Sequence, residues 1–498
     1  MPYILGISAG FHDAAASVVD SNTGDIVFAA HSERYSKKKN DATLHKDLLA
    51  QCFKHTPIET IAFYERPWMH NVQQFRSGQA AYGPWTVHGA LRKYLGASYK
   101  NIAAKEVAFP HHLSHAASGF QTSPFASATV VVIDAIGELD TVSIYRAQYN
   151  KKTGDAEYKK LWGQRYPDSI GLFYSAVTDY IGLKPMEDEY ITMGMAAYGS
   201  THALPALENI AVADYTNIEF KENFHTGLPA GTLYNVDTYS IATAAQIIAE
   251  QYIINVTKRA KQLTGENNLV FAGGVALNCL ANRLLGKYFD NIWIMPNPGD
   301  AGSSLGAAAL AYKKKLNWQH PYLGYKITGE YPVSEALDEL LTNKIVGVAN
   351  GAAEFGPRAL GNRSLLADPR GPEIKDAVNR IKKRQKFRPF APVILEEFVD
   401  DYFVLPAGWK TSPYMQVISE CKYPAEFPAI VHKDNTSRVQ TVAPDCASGI
   451  RQLLEAWYKE TGCPMLLNTS LNIRGEPVVN TRADAARFQR VYGVKVFT

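Results

Sequence analysis

Cysteine is scarce in this 498-residue chain. Its five residues, Cys52, Cys279, Cys421, Cys446 and Cys463, are odd in number and never in CxxC spacing. That argues against a disulfide framework or a zinc-thiolate site and reads as reduced core thiols. Net charge is also small, +3 from 51 basic and 48 acidic residues, so no whole-molecule attraction to nucleic acid or to a membrane is implied, and any positive field is local. Long apolar runs are missing. The opening MPYILGISAG has no basic stretch ahead of an apolar one, and no window reaches spanning length; the expectation is a cytoplasmic, soluble protein. Low-complexity segments and short repeats are absent too, and the length suits at least two domains.

What is present begins with alternation. YILGIS, AAASVVD and DIVFAAHSE, separated by GFHD and SNTG, predict an antiparallel opening of three strands. A similar unit recurs at ATVVVIDAIGELDTVSIYRA, which suggests duplicated halves around a cleft. NLVFAGGVALNCLANRLL and NIWIMPNPGDAGSSLGAAALAYKKK each read as buried strand, glycine turn and helix. Such turns lie at carboxyl ends of strands, where α/β sheets bind ligands. The segment 317–332 (NWQHPYLGYKITGEYP) reads as a linker into a second domain.

Three constellations carry chemistry. PHHLSHAASGF sets His111 and His115 four apart, on one helical face, with Asp134 and Asp300 at predicted strand ends. Two imidazoles and two carboxylates suit a divalent transition metal (iron, manganese or zinc) better than calcium. In AGGVALN, Gly273 and Gly274 permit close approach of a nucleotide and Asn278 can bond to a ribose or base; DAGSSLGAA, with Gly302 and Ser303, offers helix-start N–H groups to phosphate. Helix–strand packing explains the same glycines equally well, and neither G-x-G-x-x-G nor the P-loop pattern is present.

The third constellation is EFGPRALGNRSLLADPR, followed by NRIKKRQKFRPFAP and NTSLNIRGEP. Its arginines alternate with glycine, proline and asparagine, which suits an oxyanion clamp of guanidinium forks. A solvated basic helix or a nucleic-acid patch is the plainer alternative. Near the N-terminus, His12 and Asp13 occupy the first strand turn, where one of them can act as a base toward a hydroxyl or simply shape the turn. Lys39 is a candidate anion contact.

With those residues in view, the chain resembles the O-carbamoyltransferases of the nodulation and antibiotic-tailoring type. The motifs LGISAGFHDAAASVV, SERYSKKKND, HHLSHAASGF, TMGMAAYG, FAGGVALN, NPGDAGSSLGAA, EFGPRALGNRSLLADPR, FRPFAP and NTSLNIRGEP occur in family order. The resemblance implies an α/β fold: an N-terminal actin-like ATPase (duplicated ribonuclease H-like) domain over residues 1–325, and a smaller α/β carbamoyl-phosphate-binding domain over 326–498 like those of threonylcarbamoyl-adenylate synthases. It implies ATP and carbamoyl phosphate as co-substrates, a carbamoyl-adenylate intermediate, a divalent metal with Fe2+ favoured over Mn2+ or Zn2+, and a small-molecule hydroxyl acceptor such as a sugar, natural product or nucleoside.

By the same resemblance His111, His115, Asp134 and Asp300 are metal ligands. Gly137, Gly273, Gly274, Asn278, Gly302 and Ser303 are nucleotide contacts, and Arg358, Arg363, Arg388, Ser470, Asn472 and Arg474 bind carbamoyl phosphate. His12, Asp13 and Lys39 are catalytic candidates. Ile191 and Thr192 stand where many relatives carry a lysine, and the chain is shorter than many of them, with acceptor-binding embellishments expected to be fewer. A homodimer is a possible assembly and nucleic acid is not an expected partner. The competing readings are a threonylcarbamoyl- or hydrogenase-maturation-type carbamoyl transfer, a sugar kinase on the same fold, and a non-catalytic nucleotide- or nucleic-acid-binding protein.

Overall fold

The computed structural model describes residues 1–76, 78, 80, 83–215, 217, 219–229, 231 and 233–498. Five strands open the chain: β1 (Tyr3–Ser8), β2 (Ala15–Asp20), β3 (Ile26–His31), β4 (Ile58–Phe63) and β5 (Lys105–Ala108). They form one sheet in the order β3-β2-β1-β4-β5. The first three pair antiparallel, and β4 and β5 add in parallel. Every residue of β2 is buried, as expected of an AASVVD strand covered on both faces.

The second unit repeats this arrangement. Its strands β6 (Ser127–Gly137), β7 (Asp140–Tyr149) and β8 (Ala156–Arg165) run antiparallel, and Asn268–Ala272 and Asn291–Trp293 follow in parallel beside β6. Read from β8, the order is the same as in the first sheet. This doubled topology is the duplicated ribonuclease H-like, actin-like architecture. Each unit ends in a helix, His111–Phe120 in the first and Ser303–Tyr312 in the second. The two helices cross at Gly306, where a Cβ would lie 1.8 Å from the Ser114 carbonyl oxygen; no larger residue permits that approach. The crossing holds the histidine-bearing helix against the Asp300 turn.

Two sequence expectations need correction here. The helix expected after AGGVALN is only a 3-10 turn, Gly274–Leu277, and one α-turn, Cys279–Asn282. Asn278 is the reason: its side chain accepts from Ala281 N–H and starts a new cap, ending the turn before it. Within the expected linker, Tyr322–Ile327 is a strand paired antiparallel with Gly351–Glu354. Tyr322, Gly324 and Ile327 are buried, the alternation breaking at exposed Lys326 where the pairing register shifts, so the strand forms through pairing with Gly351–Glu354 despite the local glycine and proline content.

The carboxyl-terminal half builds a six-stranded mixed sheet from Gln440–Val442, Ala391–Leu395, Met465–Ser470, Arg363–Ala367, Ile345–Ala349 and Val496–Phe497, in that order. Apolar side chains such as Leu365, Ile394, Leu467 and Phe488 fill one face of it and Leu366, Val393, Trp457 and Leu466 the other. All five cysteines are free thiols, four of them buried. Among the described residues no helix is long and apolar enough to cross a membrane.

Candidate active site

His111 and His115 lie one turn apart on a helix that begins directly after Pro110, both buried. Their Nε2 atoms are 3.0 Å apart, and both face Asp134 Oδ2 at 3.3 and 3.1 Å. Asp300 Oδ1 completes the group, 3.4 Å from His111 Nε2 and 3.3 Å from His115 Nε2. The four ligand atoms lie within 4.8 Å of one another. Asp134 sits near the end of β6, its Oδ1 accepting from the N–H groups of Ala135 and Gly274, which leaves Oδ2 for the cluster. Asp300 opens the turn that precedes the second crossing helix.

Electrostatics inside the cluster are severe. Burial penalises the charged His111 ring, yet Asp300, Asp134 and Glu65 outweigh that and hold its pKa well above the usual imidazole range. Burial works against ionised Asp134 as well, but hydrogen bonds from His111 and His115 keep it well below the ordinary carboxylate value. Two rings whose Nε2 atoms converge at 3.0 Å cannot both point protons at each other. A divalent cation removes that conflict, and two borderline nitrogens with two hard oxygens fit a transition metal. His112, between them, bonds instead to Ser143 Oγ at 2.8 Å, and burial keeps it neutral.

His12 adjoins this cluster. Its Nδ1 is 3.2 Å from Asp13 Oδ2 and its Nε2 3.7 Å from Asp300 Oδ2. Desolvation opposes its charge, but Asp300 and Asp13 raise its pKa to about 9. Asp13 holds a left-handed backbone, φ 50°, so the residue shapes the turn as well as facing the histidine. Lys39 lies alongside, donating to both carboxylate oxygens of Glu33 at 3.2 Å.

One cleft of about 920 Å³ joins these residues to the carboxyl-terminal half. Its far wall carries Arg358, Lys382, Arg384, Arg388, Arg438 and Arg474, with Ser470 and Asn472 between them. Lys382 Nζ is buried and donates to Ser470 Oγ at 3.2 Å and to Asn472 Oδ1 at 2.8 Å. Arg388 lies over the Tyr190 ring and Arg384 over Phe390. Burial, then Arg438 close by, push Arg358 down to about 9; burial and the surrounding arginines hold Lys382 well below the ordinary lysine value. Elsewhere in this half Arg370, Arg451 and Arg487 are each paired with a carboxylate. Among the described residues no carboxylate pairs with the cations of the far wall, which lie near one another, a costly arrangement that an oxyanion relieves.

Arg363 does not belong to this wall, contrary to the sequence expectation. It is fully buried, and its guanidinium donates to the carbonyl oxygens of Asn350, Asn362, Tyr325 and Asn480. Every donor direction is used by backbone, so no N–H is left for a ligand. Of the six expected nucleotide contacts, Gly274 and Asn278 line the cleft. Gly137 instead packs on the His111 and His112 rings. Gly273, at φ 90°, and Gly302 each meet a backbone carbonyl where a Cβ would stand, that of Ile133 at 2.1 Å and that of Asn297 at 1.8 Å. Ser303 places its Oγ 3.0 Å from His115 Nδ1. These four residues therefore build and brace the site from behind. Sequence reasoning missed Arg438, which sits alone in TSRVQ with no flanking cue, and it saw Lys382 and Arg384 only as members of a basic run. Glu65, after β4, gave no signal either.

The arrangement is that of an α/β enzyme with a cleft lined on one side by Asp134 and Asp300 of the His2Asp2 cluster and on the other by cations that have no carboxylate partner among the described residues. Residues 3–309 match the family model described as carbamoyltransferase N-terminus, and residues 337–497 the one described as carbamoyltransferase C-terminus. The chain belongs to the carbamoyltransferase family, and it is a carbamoyltransferase. An uncharacterized protein of Synechocystis is 34% identical over 98% of this chain and 94% of its own length. The nodulation protein NolNO of Sinorhizobium fredii is 30% identical over 95% of this chain and 76% of its own, and an uncharacterized protein of Methanocaldococcus jannaschii 30% identical over 97% and 95%. Among solved structures, full-length HypF in the phosphate- and nucleotide-bound form aligns over 64% of this chain and 47% of its own at 13% identity and a TM-score of 0.33. The doubled architecture rests on the strand pairing, not on that likeness.

Proposed function

We propose that this carbamoyltransferase uses carbamoyl phosphate and ATP to make carbamoyl-adenylate and passes the carbamoyl group to a hydroxyl of a small-molecule acceptor. The observation that carries the reading is the shared cleft, where Asp134 and Asp300 of the histidine–aspartate cluster and the cations of the carboxyl-terminal half face one space. In this reading residues from about 326 onward hold carbamoyl phosphate through Arg358, Lys382, Arg388, Ser470, Asn472 and Arg474, groups that present several N–H and O–H donors to phosphate oxygens. Water first hydrolyses bound carbamoyl phosphate to carbamate and inorganic phosphate; a carbamate oxygen then attacks the α-phosphorus of ATP and pyrophosphate leaves. When the acceptor oxygen attacks the carbamoyl carbon of the resulting mixed anhydride, AMP departs as a better leaving group than free carbamate offers. Residues 1–325 then hold the adenylate beside Gly274 and Asn278.

The donor set His111, His115, Asp134 and Asp300 fits one divalent metal, with Fe2+ favoured and Mn2+ or Zn2+ as alternatives. When bound, that ion neutralises phosphate charge on the adenylate. His12, with Asp13 at its Nδ1 and its Nε2 toward the cleft, would be the group to accept a proton from the acceptor hydroxyl once Asp300 and Asp134 are engaged as ligands. Confinement in one cleft keeps the anhydride from bulk water. The test is pyrophosphate release from ATP on addition of carbamoyl phosphate with Fe2+ or Mn2+, in wild type, His115→Ala and Arg358→Ala. Release that needs carbamoyl phosphate and is lost in both variants supports the reading. No release with any metal, or release without carbamoyl phosphate, refutes it.

A further inference from the structure

The two histidines of the cluster are held from behind in different ways. His115 Nδ1 lies 3.1 Å from the Pro298 carbonyl oxygen and 3.0 Å from Ser303 Oγ, so its ring is fixed with Nε2 toward the cluster. His111 Nδ1 is buried and makes no hydrogen bond within 3.5 Å among the described residues. A carboxylate stands just beyond hydrogen-bond distance: Glu65 Oε2, 3.7 Å away. Glu65 is itself buried, and its other oxygen lies 3.4 Å from His70 Nδ1. It follows the end of β4, and the same short segment grips the histidine helix twice more. Ser114 Oγ donates to the Tyr64 carbonyl oxygen at 2.8 Å, and the Tyr64 ring lies 5.1 Å from that of His111.

We propose that Glu65 is the positioning residue for His111, accepting a hydrogen bond from Nδ1–H so that Nε2 is left bare toward the cluster, with His70 holding the carboxylate from its other side. The physical case is that a buried N–H left without an acceptor keeps the full cost of its lost hydration, and that a carboxylate behind a ligating imidazole fixes its tautomer and raises its basicity. Closing a 3.7 Å gap to hydrogen-bond distance takes a small rotation of either side chain. The ligand pair is then asymmetric. His111 is the more basic ligand, backed by a full negative charge, and His115 is backed by neutral oxygens. Glu65 touches no reacting atom in this scheme.

The inference rests on the metal reading above, and the test separates the two. Chelator-stripped full-length wild type, Glu65→Gln, Glu65→Ala and His70→Ala are titrated with Mn2+, followed by the electron paramagnetic resonance of free ion, and with Co2+, followed by its visible d–d bands. Wild type binds one ion. The expected loss of affinity is about ten- to hundredfold for Glu65→Ala, less for Glu65→Gln, which keeps one acceptor oxygen, and least for His70→Ala; the Co2+ bands shift in the Glu65 variants. Melting temperatures of the metal-free proteins report folding damage separately. Should Glu65→Ala fail to fold, Glu65→Gln and His70→Ala still decide. Wild-type affinity and unshifted bands in the Glu65 variants overturn the inference while leaving the metal reading intact. Absence of binding by wild type overturns both.

Discussion

Replacing Arg363 by alanine is the sharpest probe of how this structure divides its arginines. The side chain is fully buried, and its guanidinium reaches Asn350 and Asn362 carbonyls at 2.8 Å, Tyr325 at 2.8 Å and Asn480 at 3.0 Å. It thereby ties the Tyr322–Ile327 strand, the 350–351 turn and the approach to the last helix into one knot. Hydrogen bonds to a charged group contribute about 1.5–3 kcal/mol each, but they are not additive and water refills part of the space. The expected net cost of Arg363→Ala is therefore about 3–5 kcal/mol, in the range for breaking a buried ionic network. At about 2–4 °C per kcal/mol for a unit of 150–250 residues, the carboxyl-terminal transition falls by about 10 °C in differential scanning calorimetry. Arg363→Lys, with three donors on a flexible stem, recovers part of that. A fall under about 2 °C, accompanied by a large loss of phosphate affinity, refutes the argument and returns Arg363 to the oxyanion wall.

Other consequences follow from the same geometry. Phosphate or carbamoyl phosphate raises the melting temperature of wild type through linkage, by about 2.7 kcal/mol of stabilisation at a hundred times Kd, and Arg358→Ala abolishes the rise in differential scanning fluorimetry; an undiminished rise sinks the clamp. Asp300→Asn lowers Co2+ affinity at least about hundredfold by removing a charged ligand, which isothermal titration calorimetry reads directly. His31 accepts from Asn297 at 2.8 Å, and burial holds its pKa down at about 4. The unfolded chain takes up that proton as pH falls below about 6.5 while the folded chain does not, so this residue's contribution to stability is lost between roughly pH 6.5 and pH 4. His31→Gln keeps the acceptor and flattens that slope by up to about 3 kcal/mol, measured by urea unfolding across the window. Gly302→Ala, whose Cβ would stand 1.8 Å from the Asn297 carbonyl oxygen, lowers stability by at least about 3 kcal/mol, whereas a glycine serving only nucleotide approach would leave stability near wild type.

Seven of the ten strands in the two sheets were legible because alternation and buried runs carry over directly, YILGIS, AAASVVD and the VVVID unit among them, whereas Ile58–Phe63, Lys105–Ala108 and Ala156–Arg165 were not read as strands. The i, i+4 spacing of His111 and His115 announced a shared face, since helix geometry alone puts them there. Motif order carried the family. What sequence left open was direction and reach. Arg358 and Arg363 stand five apart in one glycine-rich run, and no local rule says that one faces the cleft and the other turns its fork onto backbone carbonyls. Ser303 and Gly302 read equally as phosphate contacts or as packing, and the choice fell to the helix crossing and to His115. Arg438 and Glu65 lie just past paired strands, and Lys382 caps the Pro372–Ile381 helix and is held by Ser470 and Asn472 from a segment far along the chain. Periodicity and spacing are properties of the local chain and survive in the sequence. Which side chain is left without a partner, and which is used up by a distant carbonyl, is decided only when separate segments close against each other and exclude water.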